Sequence, residues 1–290
     1  MAAAIVMRDL EWKYEHTTEL ALQSIDLDIE QNTFLGIVGA NEQGKTTLVS
    51  CISGLIPHSY NGIYRGSVQV FGREVRDQDS LDLATQVGIV FADPEAQFTA
   101  MTVEEELAFG LENMGLDLQT IQERLEWAAE TTMISDLLDK SPYDVSGGQK
   151  QRVAIACVLA MHPPIIIMDE PTSMIDPLGK DFIFDILRNL KQAGEHTLIV
   201  VEHNIEQLAP LADELLLMHA GQVARKSPPE EFFDDPAFLA EHGIIVPEVT
   251  EFSFRLRTDG VVEHDMPLPL DLTHGVPLVE AALDSAGVQA

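Results

Sequence analysis

Nine consecutive residues, Gly39-Ala40-Asn41-Glu42-Gln43-Gly44-Lys45-Thr46-Thr47, constrain this chain more than any other stretch. They fit G-x-x-x-x-G-K-S/T, the phosphate-binding loop or P-loop. The apolar run Phe34 to Val38 ahead of it reads as a short buried strand, and a helical pattern follows, Thr46 to Leu55. Strand, loop and helix in that order turn backbone N–H groups inward on a phosphate, and the helix N-terminus adds its partial positive charge. Lys45 is then placed to reach the outer phosphates, and the Thr46 hydroxyl to ligate Mg²⁺.

A second motif agrees. In Ile165-Ile166-Ile167-Met168-Asp169-Glu170, apolar residues run into two acids. This reads as a fully buried parallel strand ending at a polar site. Ligands of open α/β sheets bind at the carboxyl ends of strands. Asp169 is expected to help hold Mg²⁺, directly or through water, and Glu170 to orient or deprotonate an attacking water, the Walker B arrangement followed by a catalytic acid. A third motif is Val145-Ser146-Gly147-Gly148-Gln149-Lys150-Gln151-Arg152, just ahead of that strand. Ser146 can cap a helix running from Gln149 to Met161, whose free N–H groups make another anion site.

With this third motif the chain resembles the ABC-type ATPases. Their signature is usually LSGGQ, and Val145 stands here in place of Leu. The resemblance covers about residues 4–230, and further landmarks fall in order. Tyr14 matches the aromatic that stacks on adenine, Ser173 to Asp176 the D-loop, and His203 the switch histidine that contacts the γ-phosphate. It implies an α/β P-loop ATPase, with a mixed-sheet core and a helical subdomain at about 95–160, inside a domain spanning 1–229. Residues 230–290 would form a C-terminal accessory or dimerisation segment. It also implies ATP bound by Tyr14, by Gly39 to Thr47 and, across a head-to-tail pair of ATPases, by Ser146, Gly147, Gly148 and Gln149 of the opposite subunit. Glu170, His203 and Lys45 are the implied catalytic residues, Thr46 and Asp169 the implied Mg²⁺ ligands.

The tail narrows the resemblance. Leu268-Pro269-Leu270-Asp271-Leu272-Thr273 is similar to the "LP(L/V)T…EA" element of ATPases in energy-coupling factor (ECF) transporters. Phe91 to Phe98, with Asp93-Pro94 and Gln97, resembles their Q-loop segment. These matches imply a motor at the cytoplasmic face of the cell membrane, driving import of a vitamin or a transition-metal ion. The implied partners are a second ATPase, a membrane coupling subunit and a substrate-capturing membrane protein. Asp93 to Glu106, with five acids, matches the region that receives the coupling subunit. Three positions depart from the pattern. Glu42 and Gln43 stand where transporters usually have Gly and Ser, and Ala92 stands where the Q-loop glutamine belongs. A weakly catalytic subunit of a heterodimeric pair and a soluble non-transport ABC ATPase therefore stay open.

Composition bounds the rest. In 290 residues, 46% hydrophobic, there is material for a sizeable core, but no apolar run approaches 18 residues. Met1 to Arg8 shows no charged segment ahead of a long apolar one, so no signal peptide is expected. The two cysteines, Cys51 and Cys157, lie in apolar helical patterns and are expected as buried thiols, which excludes a disulfide framework and fits the cytosol. The net charge of −31 repels nucleic acid at long range and disfavours the DNA-repair ATPases that share these motifs.

Along the chain, short strands and turns are expected up to Phe71, including Ser67 to Phe71, then a strand at Val87 to Phe91. Helices are expected at Val103 to Leu111, Leu118 to Thr131, Asp176 to Gln192 and His203 to Leu211, and strands at Thr197 to Val201 and Glu214 to Met218. Ser227-Pro228-Pro229 and Asp234-Asp235-Pro236 suggest a linker into a separate segment. There Phe232 to Gly243 reads as a short helix with its connection, Glu248 to Leu256 as mixed, and Pro277 to Ala286 as a terminal helix.

Overall fold

A computed structural model of the protein describes residues 2–262, 268–273, 275–277 and 280. In chain order its strands are β1 (Ala3–Tyr14), β2 (Leu22–Glu30), β3 (Phe34–Val38), β4 (Gly62–Val70), β5 (Arg73–Glu74), β6 (Val87–Val90), β7 (Ile165–Asp169), β8 (Thr197–Val201), β9 (Glu214–His219) and β10 (Gln222–Ser227). Its helices are α1 (Lys45–Ile52), α2 (Leu55–His58), α3 (Ser80–Ala84), α4 (Val103–Asn113), α5 (Leu118–Thr131), α6 (Gly147–Met161), α7 (Pro177–Ala193), α8 (Ile205–Leu208), α9 (Pro229–Phe232), α10 (Pro236–Glu241) and α11 (Glu248–Thr258).

The continuous apolar runs become the parallel middle of a six-stranded sheet, ordered β10-β9-β3-β8-β7-β6, with β10 antiparallel at the edge. Side chains alternate across a strand, so each run feeds two cores. Phe34, Val38, Ile166, Met168, Leu198, Val200, Leu215 and Leu217 face the core shared with α4, α5, α6 and α7. Leu35, Ile37, Ile165, Ile167, Ile199, Val201, Leu216 and Met218 face a second core. That core is closed by an antiparallel sheet of order β2-β1-β4-β5, and Leu48, Val49, Cys51 and Ile52 of α1 lie within it. Strands buried on both faces have no polar side to alternate with, which is why they read as plain apolar runs. The same fact leaves their register to their ends. A one-residue slip of β7 would draw the Asp169 carboxylate into the core, at a cost of several kcal/mol.

Several boundaries differ from those expected. α1 stops at Ile52, because Gly54 takes a left-handed φ of +77° and reverses the chain before α2. β1 is a single strand of 12 residues, and its partner β4 starts at Gly62 rather than Ser67. α6 begins at Gly147, with Ser146 as N-cap. Only Ile205–Leu208 of His203 to Leu211 is helical. Glu248 to Leu256, expected as mixed, lies wholly within α11. Cys51 is buried, and Cys157 is half-buried.

The prolines expected to mark a linker instead open helices: Pro229 and Pro236 occupy the first turns of α9 and α10, where a missing N–H costs nothing. Phe232, Phe233, Leu239, Ile244, Val246 and Leu268 join the core of the helical side. The Thr250 hydroxyl donates to Pro269 O at 2.6 Å, which ties the Leu268-Pro269-Leu270 element to α11. Of the expected terminal helix, Pro277 to Ala286, Pro277 and Glu280 are helical and the remainder lies outside the described residues.

Candidate active site

The P-loop leaves the carboxyl end of β3 and ends at the first residue of α1. Gly44 sits at the N-cap with φ +96°, and a Cβ there would come within 2.7 Å of Ala21 O. No side chain caps α1 and no acid occupies its first turn, so its N–H groups stay open to an anion. Lys45, 4% exposed, turns back across the loop, its Nζ donating to Gly39 O at 2.9 Å and Ala40 O at 2.8 Å. Burial holds the Lys45 ammonium below the usual lysine pKa, while Glu170 and Asp169 pull it back up. A phosphate would replace carbonyl dipoles with formal charge, so the same ammonium is poised to exchange partners.

The two departures in this loop have different structural readings. Gln43 reaches across to the β9–β10 turn, where its Oε1 accepts from Ala220 N at 2.5 Å and its carbonyl accepts from Gly221 N at 3.2 Å. It fixes the loop to the β9–β10 turn. Glu42 is exposed and held at φ +63°, a conformation that suits glycine.

β7 and β8 lie side by side in parallel, with Asp169 opposite Val201. The residues just beyond them therefore meet: the Glu170 amide donates to Val201 O at 2.9 Å, and His203 Nε2 lies 3.1 Å from Glu170 Oε1. Asp169 is 5% exposed. Burial pushes its carboxyl above the usual range and Glu170 adds to this, while the Thr46 hydroxyl bond and the Lys45 and His203 charges oppose it. Asp169 Oδ1 is buried with no hydrogen-bond partner, and the Thr46 hydroxyl lies against the same carboxylate. An orphaned buried carboxylate oxygen beside a hydroxyl fits a hard divalent cation such as Mg²⁺.

Two residues to which the sequence motifs assign no role, Glu202 and Thr172, complete this corner. Glu202, 3% exposed, accepts from Thr172 Oγ1 at 2.8 Å and from the His203 and Asn204 amides at 2.9 and 3.2 Å. Its carboxylate fixes the turn that carries His203. The acid directly before the histidine was the available signal.

Lys45, Thr46 and Glu170 border a cleft of about 770 Å³, within the range of small-molecule sites, while Gly39, Ala40, Glu202 and His203 line a second of about 320 Å³. Asn41 to Thr47, Glu170, Tyr14 and the β9–β10 turn line the larger cleft, with Thr17, Glu19, Leu20, Ala21 and Gln23 as further walls. The Tyr14 hydroxyl bonds Thr47 Oγ1 at 3.1 Å, and its ring stands edge-on to Trp12 and Tyr60.

Ser146 to Gln149 are not among the lining residues. They form a capping box at the start of α6: Ser146 Oγ accepts from Gln149 N at 3.4 Å, and Gln149 Oε1 accepts from Ser146 N at 2.9 Å. Ala92 follows β6 and brings no polar group, and the amide nitrogen of Gln97 is buried without a partner. The acids of Asp93 to Glu106 are largely engaged within the chain. Asp93 caps the turn at Glu95, Glu95 pairs with Lys150 at 2.5 Å, Glu105 belongs to the capping box of α4, and buried Glu106 accepts from the Thr99 and Ala100 amides.

A P-loop against a buried Asp and a half-buried Glu, at the carboxyl ends of a parallel sheet, defines a nucleoside-triphosphatase cassette. The comparisons make this specific. The ABC transporter family profile matches residues 22–173. A putative ABC transporter ATP-binding protein of Pyrococcus abyssi is 37% identical over 257 residues, covering 89% of this chain and 92% of that protein. The energy-coupling factor transporter ATP-binding protein EcfA1 of Bacillus subtilis is 37% identical over 259 residues, covering 89% and 90%. Among solved structures, cbiO1 of Clostridium perfringens, part of the ABC transporter complex cbiONQ, superposes with a TM-score of 0.72 at 29% identity, covering 87% of this chain and 99% of that one. A dimeric ATP-binding cassette in a post-hydrolysis state with ADP and Pi gives 0.68 at 25%, covering 78% and 98%. The chain belongs to the ATP-binding proteins of ABC transporters and is an ATPase.

Proposed function

We propose that this chain is the ATP-hydrolysing motor of an ECF-type importer, taking up a vitamin or a transition-metal ion. It would work at the cytoplasmic face of the membrane, with a second ATPase, a membrane coupling subunit and a substrate-capturing membrane protein. The likeness to EcfA1 and cbiO1 supports the class of transporter. One observation carries the mechanism: Lys45, Thr46, Asp169, Glu170 and His203 converge on one corner, while Ser146 to Gln149 stand outside the cleft. Half of the site is then complete in one subunit, and the exposed capped helix of a second subunit supplies the rest.

In this reading the P-loop amides and Lys45 hold the phosphates and the Tyr14 ring packs on the base. Thr46 and Asp169 would hold Mg²⁺, which when bound would offset the negative charge of the phosphates. Glu170 takes the proton of the attacking water. His203, within hydrogen-bond reach of Glu170, orients it and with Lys45 stabilises the transferred charge. Glu202 holds the His203 turn in place. ATP binding closes the pair and moves the membrane partner, and hydrolysis reopens it.

Glu170→Gln tests this. It keeps size and polarity and removes the base, so steady-state hydrolysis should fall by about 10²–10⁴-fold. Nucleotide affinity should persist, and an ATP-bound dimer should accumulate on size exclusion. Unchanged turnover would take Glu170 out of its role.

A further inference from the structure

At the opposite end of the sheet from the nucleotide cleft, the turns that precede β7 and β8 meet. His162 closes α6 in a left-handed conformation with φ +55°, and Glu195 and His196 follow the Gly194 turn that ends α7. β7 and β8 are neighbours with Ile165 opposite Thr197, so the three side chains are brought to the same edge. His162 Nε2 lies 3.6 Å from Glu195 Oε2, and the two imidazole rings are 5.0 Å apart. One donor atom from each residue falls within 4.8 Å of the others.

His196 gives the cluster its direction. It is 3% exposed, and its Nδ1 lies 2.8 Å from Pro163 O. A carbonyl only accepts, so Nδ1 carries the proton and Nε2 is left with a bare lone pair. That Nε2 is buried and has no hydrogen-bond partner. Burial also holds the imidazole below its usual pKa and so in the neutral form that binds metals, against the opposing pull of the Pro163 carbonyl. A buried acceptor without a partner needs an account. Here a fixed tautomer, oriented by a backbone carbonyl, faces a second imidazole and a carboxylate, which is how proteins orient histidine ligands.

We infer that His162, Glu195 and His196 form a site for a divalent transition metal, remote from the ATP cleft. Two imidazoles and a carboxylate suit Zn²⁺, Co²⁺ or Ni²⁺ and not Mg²⁺, which takes oxygen ligands. Ligands about 2.0–2.2 Å from such an ion lie closer together than 4.8 Å, so the side chains must draw in. His162 and Glu195 are exposed and free to do so, while His196 is the fixed member. The fourth position opens to water. A bound ion would staple the end of α6 to the start of β8. Because α6 carries Ser146 at its other end, about 22 Å away, the staple would hold the signature helix from behind.

The test uses the full-length protein with saturating Mg²⁺, titrated with Zn²⁺ by calorimetry and with Ni²⁺ while tryptophan fluorescence is followed. The Trp127 ring lies 5.6 Å from that of His162, close enough for bound Ni²⁺ to quench it. The variants are His162→Asn, since asparagine tolerates the left-handed backbone, and Glu195→Gln. Neither residue touches the ATP cleft, so basal hydrolysis reports that both variants are folded. The expected result is one equivalent of Zn²⁺, at least tenfold weaker in each variant, and Ni²⁺ quenching that is lost with it. Absence of Zn²⁺ binding to the unmodified protein at ~100 µM, a Kd threshold corresponding to about 5.5 kcal/mol, would overturn the inference. So would binding that both variants leave unchanged, which would place the ion elsewhere.

Discussion

Glu42 shows at a single residue how the backbone sets what a position accepts. An L side chain in the left-handed region costs about 1–2 kcal/mol, and glycine gives back about 0.5–1 kcal/mol of that in unfolded-state entropy. The balance favours glycine by roughly 0.5–1 kcal/mol. Glu42 also puts an anion on the wall of a cleft built for phosphates. Glu42→Gly should therefore raise the thermal midpoint by about 1–3 °C and tighten ATP binding severalfold. Differential scanning calorimetry and equilibrium nucleotide titration check the two effects separately. A midpoint that falls would mean that the side chain makes contacts worth more than the strain. Gln43, the neighbouring departure, carries the opposite lesson: its side chain holds the loop to Ala220, so it is not a free substitution.

At the scale of elements, the acids of this chain do much of their work at helix starts. Thr102 with Glu105 and Ser146 with Gln149 form capping boxes, and Asp79, Asp117, Asp176 and Asp235 each accept an amide bond as N-caps. An acidic segment such as Asp93 to Glu106 looks like a docking surface in the sequence, yet reversing Glu105 would first break a cap. Ser146 is the helix start with two candidate duties. As a cap alone it contributes about 1 kcal/mol, and its 3.4 Å bond is long. If, as proposed, the hydroxyl and the α6 N-terminus face the nucleotide of the opposite subunit, Ser146→Ala should shift a urea unfolding midpoint only slightly while steady-state hydrolysis drops by tenfold or more. Activity that falls only in step with the folded fraction would reduce Ser146 to a cap.

For the whole molecule the dominant quantity is charge. With 48 acids against 17 basic residues, self-repulsion outweighs attraction wherever screening is weak. Exposed ion pairs such as Arg8–Asp28 and Arg65–Glu11 contribute only ~0–1 kcal/mol each. The screening length falls from about 10 Å at 0.1 M to about 3 Å at 1 M salt. Raising KCl across that range should lift the melting temperature by several degrees, followed by circular dichroism at constant pH. A melting temperature that drops instead would show that local pairs, not net repulsion, set the balance. The same anionic surface leaves the open N-terminus of α1 and buried Lys45 as a local attraction for phosphate within a repulsive field.

The sequence by itself determined the strands that carry the site and the motifs at their ends. Phe34 to Val38, Ile165 to Met168 and Leu198 to Val201 are apolar on both faces, as covered parallel strands are, and they run into the P-loop at Gly39 and the acids Asp169 and Glu202. The candidate site residues stood out for the same reason: a loop of glycines before Lys45, or two acids after four apolar residues, makes poor sense except at a strand's carboxyl end. Tertiary structure decided what depends on partners distant in sequence. Gln43 reads as a departure until Ala220 is beside it. Glu202 is one more acid until Thr172 and two amides surround its carboxylate. Pro229 and Pro236 read as a linker until Phe232 and Phe233 are found in the core. His162 and His196 are 34 positions apart and carry no motif. They meet only because β7 and β8 pair in parallel, and sheet pairing is a long-range choice that no local window records.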